Sequence, residues 1–173
     1  MRIPSLNIVS SDVLDVLSEP LKGAANTTIV HSLREVRQAL DVYGAKPTAP
    51  AITVDLLGHS TRDHRLLRMG GTVIDALDPL VKRFFEEVER SQVLRAMNAV
   101  SVRLLGCETG VSVSGQRTLR SLADILGLPV FGSRKRLSKT HHTANGFNPL
   151  FHHVLIEAAP SRSRARPGLF EAS

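Results

Sequence analysis

VDLLGHS (residues 54–60) and VRLLGCETG (residues 102–110) are two runs of the same make-up, each closing on a glycine and then a residue able to do chemistry. The first extends back to residue 51 as AITVDLL, just after Pro50, and the second to residue 99 as AVSVRLL. Short, mostly apolar and β-branched runs are what a strand covered on both faces requires, and such strands belong to parallel sheets. His59 and Cys107 lie 48 positions apart, which leaves room for one hairpin and one helix between the two strands. If the strands are neighbours, both side chains emerge at the same edge, and open α/β sheets collect their sites at the C-terminal ends of strands.

Working outward, strand and helix signals alternate. Residues 6–10 and 27–31 read as strands, and the second runs into Ser32-Leu-Arg-Glu35, a capping-box pattern. The helix it opens carries Leu33, Val36, Leu40 and Val42 toward a core and ends near Gly44. After the His59 strand, Gly70-Gly71 sits between two short apolar arms and predicts a β-hairpin. Asp78-Pro79 supplies an N-cap and a first-turn proline for a helix through Val81, Phe84, Phe85 and Val88 that ends around Leu94. A helix from about Gln116 to Leu126 follows the Cys107 turn, stopped by Gly127, and residues 129–132 form a short strand. The rest reads as loop until a last apolar segment over 150–158. This alternation predicts an α/β fold, a mostly parallel central sheet with helices on both faces.

The chain has 173 residues, enough for one domain with a real core, and its 42% hydrophobic and 22% charged residues exclude a wholly disordered or disulfide-scaffold chain. One unit over 1–158 is expected, with 159–173 a basic, disordered tail rich in Ser, Pro and Ala. Net charge is +6, but much of it is local, in Arg134, Lys135, Arg136 and Lys139 and in the tail. Without interleaved aromatics to stack on bases, these runs read as solvated charge rather than a nucleic-acid footprint, although the tail could dock an acidic protein partner. A lone cysteine offers no disulfide framework, and no stretch reads as a signal peptide or a bilayer span, so a cytoplasmic location is expected.

A thiol becomes a nucleophile when a nearby imidazole takes its proton, so Cys107 and His59 are candidates for nucleophile and base. Gly106 and Gly110 permit a tight turn whose N–H groups could face an oxyanion. Each residue also has a plain reading: cysteine is often a small core residue, and a strand-end histidine is often just hydrogen-bonded. The conjunction of complementary residues beside turn glycines favours a site. Asp55, four positions before His59, reads as a hydrogen-bonded strand residue rather than a partner of the imidazole, and Thr109 and Ser112 as hydrogen-bonding residues of the turn.

VDLLGHS followed by VRLLGCETG resembles the caspase-like cysteine peptidases, in which one strand ends in a histidine, usually followed by glycine, and the next in a cysteine within a tight turn. The resemblance spans about Thr27 to Phe131 and implies a three-layer caspase-like sandwich. It implies a His–Cys dyad that cleaves peptide bonds through a thioester, with the N–H groups of Cys107 and of Ser60 or Gly58 at the oxyanion hole and no cofactor. The sequence departs from the family pattern at Ser60, whose side chain would narrow the site. The residue before the scissile bond is usually charged or polar in that family; Arg134, Lys135 and Arg136 would receive an acidic side chain, Glu108 and Asp63 a basic one.

Two other readings compete. A degenerate caspase-like domain would act as an interaction or regulatory module. An α/β-hydrolase esterase would use Ser60 as nucleophile in Gly58-His59-Ser60-Thr61-Arg62, but Arg62 occupies the place where the elbow needs a small residue. His141-His142 and His152-His153 do not read as a metal site, because adjacent side chains diverge and no further ligand stands at the right spacing. Phosphate-cradling glycine loops are absent.

Overall fold

A computed structural model describes residues 3–15, 21, 23–46 and 50–161; most of the tail, residues 162–173, lies outside the described residues. Six strands make the central sheet: β1 (Ser5–Ser10), β2 (Thr27–Val30), β3 (Ile52–Leu57), β6 (Ala99–Leu105), β7 (Val130–Ser133) and β10 (Leu155–Ala158), in the order β10-β7-β6-β3-β1-β2. All neighbours are parallel except β10, which runs antiparallel to β7. The fold is thus α/β with a mostly parallel sheet, as the alternation predicts.

From β2 onward the chain steps across the sheet in one direction, through β3 and β6 to β7. Right-handed crossovers then place the described helices of these later connections on one face. These helices are α1 (Leu33–Gly44), α2 (Pro79–Arg90) and α4 (Val113–Leu126), with a single turn α3 (Val93–Ala96) after α2. Their apolar stripes, including Val36 and Leu40, Val81 and Phe85, Leu119 and Leu122, bury against Leu6, Ile8, Val54, Leu56, Val102 and Leu104 of the sheet. The opposite face carries a thinner layer: the 3-10 turn Ser11–Val13, Leu21, the 3-10 stretch Pro149–Val154, and a small hairpin of β8 (His142–Thr143) and β9 (Gly146–Phe147).

That second face has a polar centre. Asn7, Asp55 and Arg103 stand in register on β1, β3 and β6. Arg103 grips the fully buried Asp55 with two bonds of 2.6 Å and reaches Ser5 Oγ at 3.0 Å. Burial pushes the Asp55 carboxyl up from its ordinary value, and the Arg103 charge opposes this. The hairpin closes the layer: the Phe147 ring lies 5.3 Å from the guanidinium, and the Phe147 N–H donates to Asp55. Asp55 is therefore the hydrogen-bonded strand residue it was expected to be.

Several local expectations are corrected. Val42 is 69% exposed, because the stripe of α1 runs through Val36, Ala39, Leu40 and Tyr43. Ser32 does accept the Glu35 N–H, but the Glu35 carboxylate turns to the His31 N–H, so the box is not reciprocal. The helix expected to reach Leu94 ends at Arg90, because Gln92 adopts a left-handed conformation (φ 61°). Helix α4 starts three residues before Gln116, capped by Ser112. The Gly70-Gly71 hairpin forms as read, from β4 (Arg68–Met69) and β5 (Thr72–Val73).

Candidate active site

Leu57 and Leu105 are register partners across β3 and β6, and His59 and Cys107 each lie two residues beyond. Parallel pairing thus carries both to equivalent positions past the same sheet edge. The chain after His59 folds back on itself at once. Arg68 N–H donates to the His59 carbonyl (2.8 Å), Thr61 N–H donates to Leu66 (2.8 Å), and Ser60 bridges Leu67 between them. Gly58 is required by this return, since a Cβ there would fall 2.0 Å from the Arg68 carbonyl oxygen. Because Ser60 leads into an antiparallel bridge rather than a helix, it does not stand on a hydrolase elbow.

The Cys107 turn is fastened from below. Thr109 Oγ1 donates to the Leu104 carbonyl (2.7 Å) and accepts from Ser133 N–H (2.9 Å), and Ser133 Oγ donates to the Gly106 carbonyl. Ser112 accepts the Gly115 N–H (2.9 Å) and donates to the His64 carbonyl (2.5 Å), tying the head of α4 to the loop after His59. Both turn residues act as the sequence suggested. The structure brings Ser60 Oγ against Gly106, where it is buried without a hydrogen-bond partner.

Cys107 is half-buried, and its thiol donates to the Leu137 carbonyl at 3.7 Å. His59 is exposed, and among the described residues its ring makes no hydrogen bond. Two N–H groups in the His59 and Cys107 turns are uncommitted among the described backbone bonds, those of Cys107 and Ser60, whereas the Gly58 N–H is taken by Leu105 (3.4 Å). Glu108, in a left-handed conformation (φ 59°), donates its N–H to the Lys135 carbonyl (3.0 Å), and its carboxylate faces Arg65 at 3.4 Å. The segment after β7 therefore lies directly beside the cysteine. Arg134, Lys135 and Arg136 on it are exposed, and none has an ion pair among the described residues. Asp63 is exposed on the loop after His59 and is equally unpaired among those residues.

Sequence reasoning missed the Leu137 carbonyl, Ser133 and Arg65. A backbone acceptor has no residue signature, and Arg65 takes a left-handed conformation (φ 53°) that its type does not announce. The four tested histidines disperse: His142 is buried edge-on to Phe147, His141 bonds the Ser138 N–H, and His152 and His153 are exposed. No group of three or more His, Cys, Asp or Glu that could hold a metal occurs among the described residues, and none of their helices is long and apolar enough to cross a membrane. Compared with protein-family models and with curated proteins, the sequence matches none.

Proposed function

We propose that the chain is a caspase-like cysteine endopeptidase, with Cys107 the nucleophile and His59 the proton carrier. The observation that carries this reading is the equivalence of the two residues past the paired ends of β3 and β6. In the reaction, the Cys107 S–H proton passes to the His59 imidazole and sulfur adds to the peptide carbonyl. The N–H groups of Cys107 and Ser60 receive the developing oxyanion. The imidazolium then protonates the leaving amine, leaving a thioester, which a water molecule deprotonated by His59 hydrolyses. No cofactor enters any of these steps.

The charges around the cysteine favour an acidic side chain before the scissile bond. Arg65 already engages Glu108, whereas Arg134, Lys135 and Arg136 are free of ion pairs among the described residues. A second reading, a non-catalytic module that binds an acidic partner, is favoured by the thiol being donated to Leu137 rather than to the imidazole.

Alkylation by iodoacetamide, with adducts on Cys107 read by mass spectrometry, separates the two. The peptidase reading expects labelling in the presence of an acidic peptide to slow at least about tenfold in His59→Ala, and a library of fluorogenic peptides to be cleaved after Asp or Glu, with no cleavage by Cys107→Ala. Slow labelling that is equal in both proteins, with no peptide cleaved, would leave the binding module.

A further inference from the structure

Two observations fall on one short segment, residues 134–137. The first is that the Leu137 carbonyl takes the Cys107 S–H, so the proton the reaction needs is committed to a backbone oxygen rather than to an imidazole. The second is that Arg134, Lys135 and Arg136 are exposed with no counter-charge among the described residues. The segment is fastened at its start, where Arg134 N–H donates to Val154 (2.8 Å) and the Lys135 carbonyl accepts from Glu108. Past Lys135, no backbone hydrogen bond to Arg136 or Leu137 occurs among the described residues other than the one from sulfur. A thiol is a weak donor, whereas guanidinium or ammonium bonded to carboxylate is among the stronger polar contacts, so an anionic ligand on the cations outweighs the sulfur contact.

We propose that residues 134–137 are a ligand-released restraint: an acidic peptide bound by Arg134, Lys135 and Arg136 draws the Leu137 carbonyl off Cys107 and frees the thiol to face His59. Once released, the S–H bond breaks, the proton bonds to the imidazole nitrogen, and the electron pair stays on sulfur. The inference rests on the peptidase reading, in which Cys107 and His59 are the reacting pair. It adds that the resting site is held off until the substrate's own charge arrives.

The test uses the full chain and an end-blocked hexaglutamate peptide, its binding followed by fluorescence anisotropy. Iodoacetamide labelling of Cys107 is expected to quicken at least about fivefold when the peptide is bound, because the disengaged thiol is the reactive one. Replacing Arg134, Lys135 and Arg136 together with alanine should abolish both binding and quickening. Leu137→Gly, which loosens the segment, should label faster with no peptide present. Failure of hexaglutamate to bind, binding without quickening, or no gain in Leu137→Gly would each overturn the restraint. Running His59→Ala in parallel keeps the two readings apart. Fast, His59-dependent labelling that ignores the peptide retains the peptidase and removes the restraint, whereas peptide-driven quickening that persists in His59→Ala retains the restraint and removes the dyad.

Discussion

Gly106 is held to glycine by its surroundings: a Cβ would come within 2.6 Å of Ser60 Oγ, 2.9 Å of Leu67 Cδ1 and 3.0 Å of Thr109 Cγ2. Gly106→Ala should therefore destabilise the protein by about 1–3 kcal/mol, as overpacking does. Urea denaturation measures it. Ser60→Gly removes the nearest obstacle, and with it a buried hydroxyl that has no partner, so the double variant should recover part of the loss. Strictly additive effects would show that the two residues do not meet. At this scale the sequence exposes residue types and hides backbone. His59, Cys107 and their glycines are legible because chemistry and tight approach each demand a particular side chain. The Leu137 carbonyl and the uncommitted N–H of Ser60 belong to every residue alike.

Helix α4 depends on Ser112 at its head, and the same hydroxyl holds the loop after His59 through the His64 carbonyl. Ser112→Ala should cost about 1 kcal/mol of stability, the usual loss of an N-cap. Amide exchange should also quicken over residues 61–65, and an unchanged loop would confine Ser112 to its capping role. Elements were legible where a physical signal marks them, as Asp78-Pro79 marks α2 and the apolar runs mark β3 and β6. The early end of α2 escaped because Gln92 breaks the helix by its conformation, not its type. Strands as short as β8 and β9, two residues each, are too brief for any periodicity to register.

Across the whole molecule, the helical face is apolar and the other is built around the Asp55–Arg103 pair, with His142, on strand β8 of the hairpin, buried at 6% exposure. Burial pushes the His142 imidazole down from 6.5 to about 4, and the His141 and Arg103 charges add to it. Unfolded chains bind a proton at His142 over that window while the folded protein does not. Stability from this group is thus complete above pH 6.5 and drains away as pH falls toward 4, a loss on the order of 3 kcal/mol. His142→Leu should flatten the decline in urea midpoint between pH 7 and 4.5; an identical slope would assign it to the carboxylates.

The antiparallel partner of β7 comes from the far end of the described chain, and Arg134 is fastened to Val154 just before it. During synthesis from the N-terminus, β3, β6 and β7 can associate while β10 is still unmade. The wall beside Cys107 then lacks its anchor on Val154, and the open edge of β7 is covered only when β10 emerges. A ribosome-bound chain therefore carries Cys107 and His59 before Val154 can hold Arg134 and before β10 can cover β7, so the wall beside the cysteine is the last part of the described sheet to set.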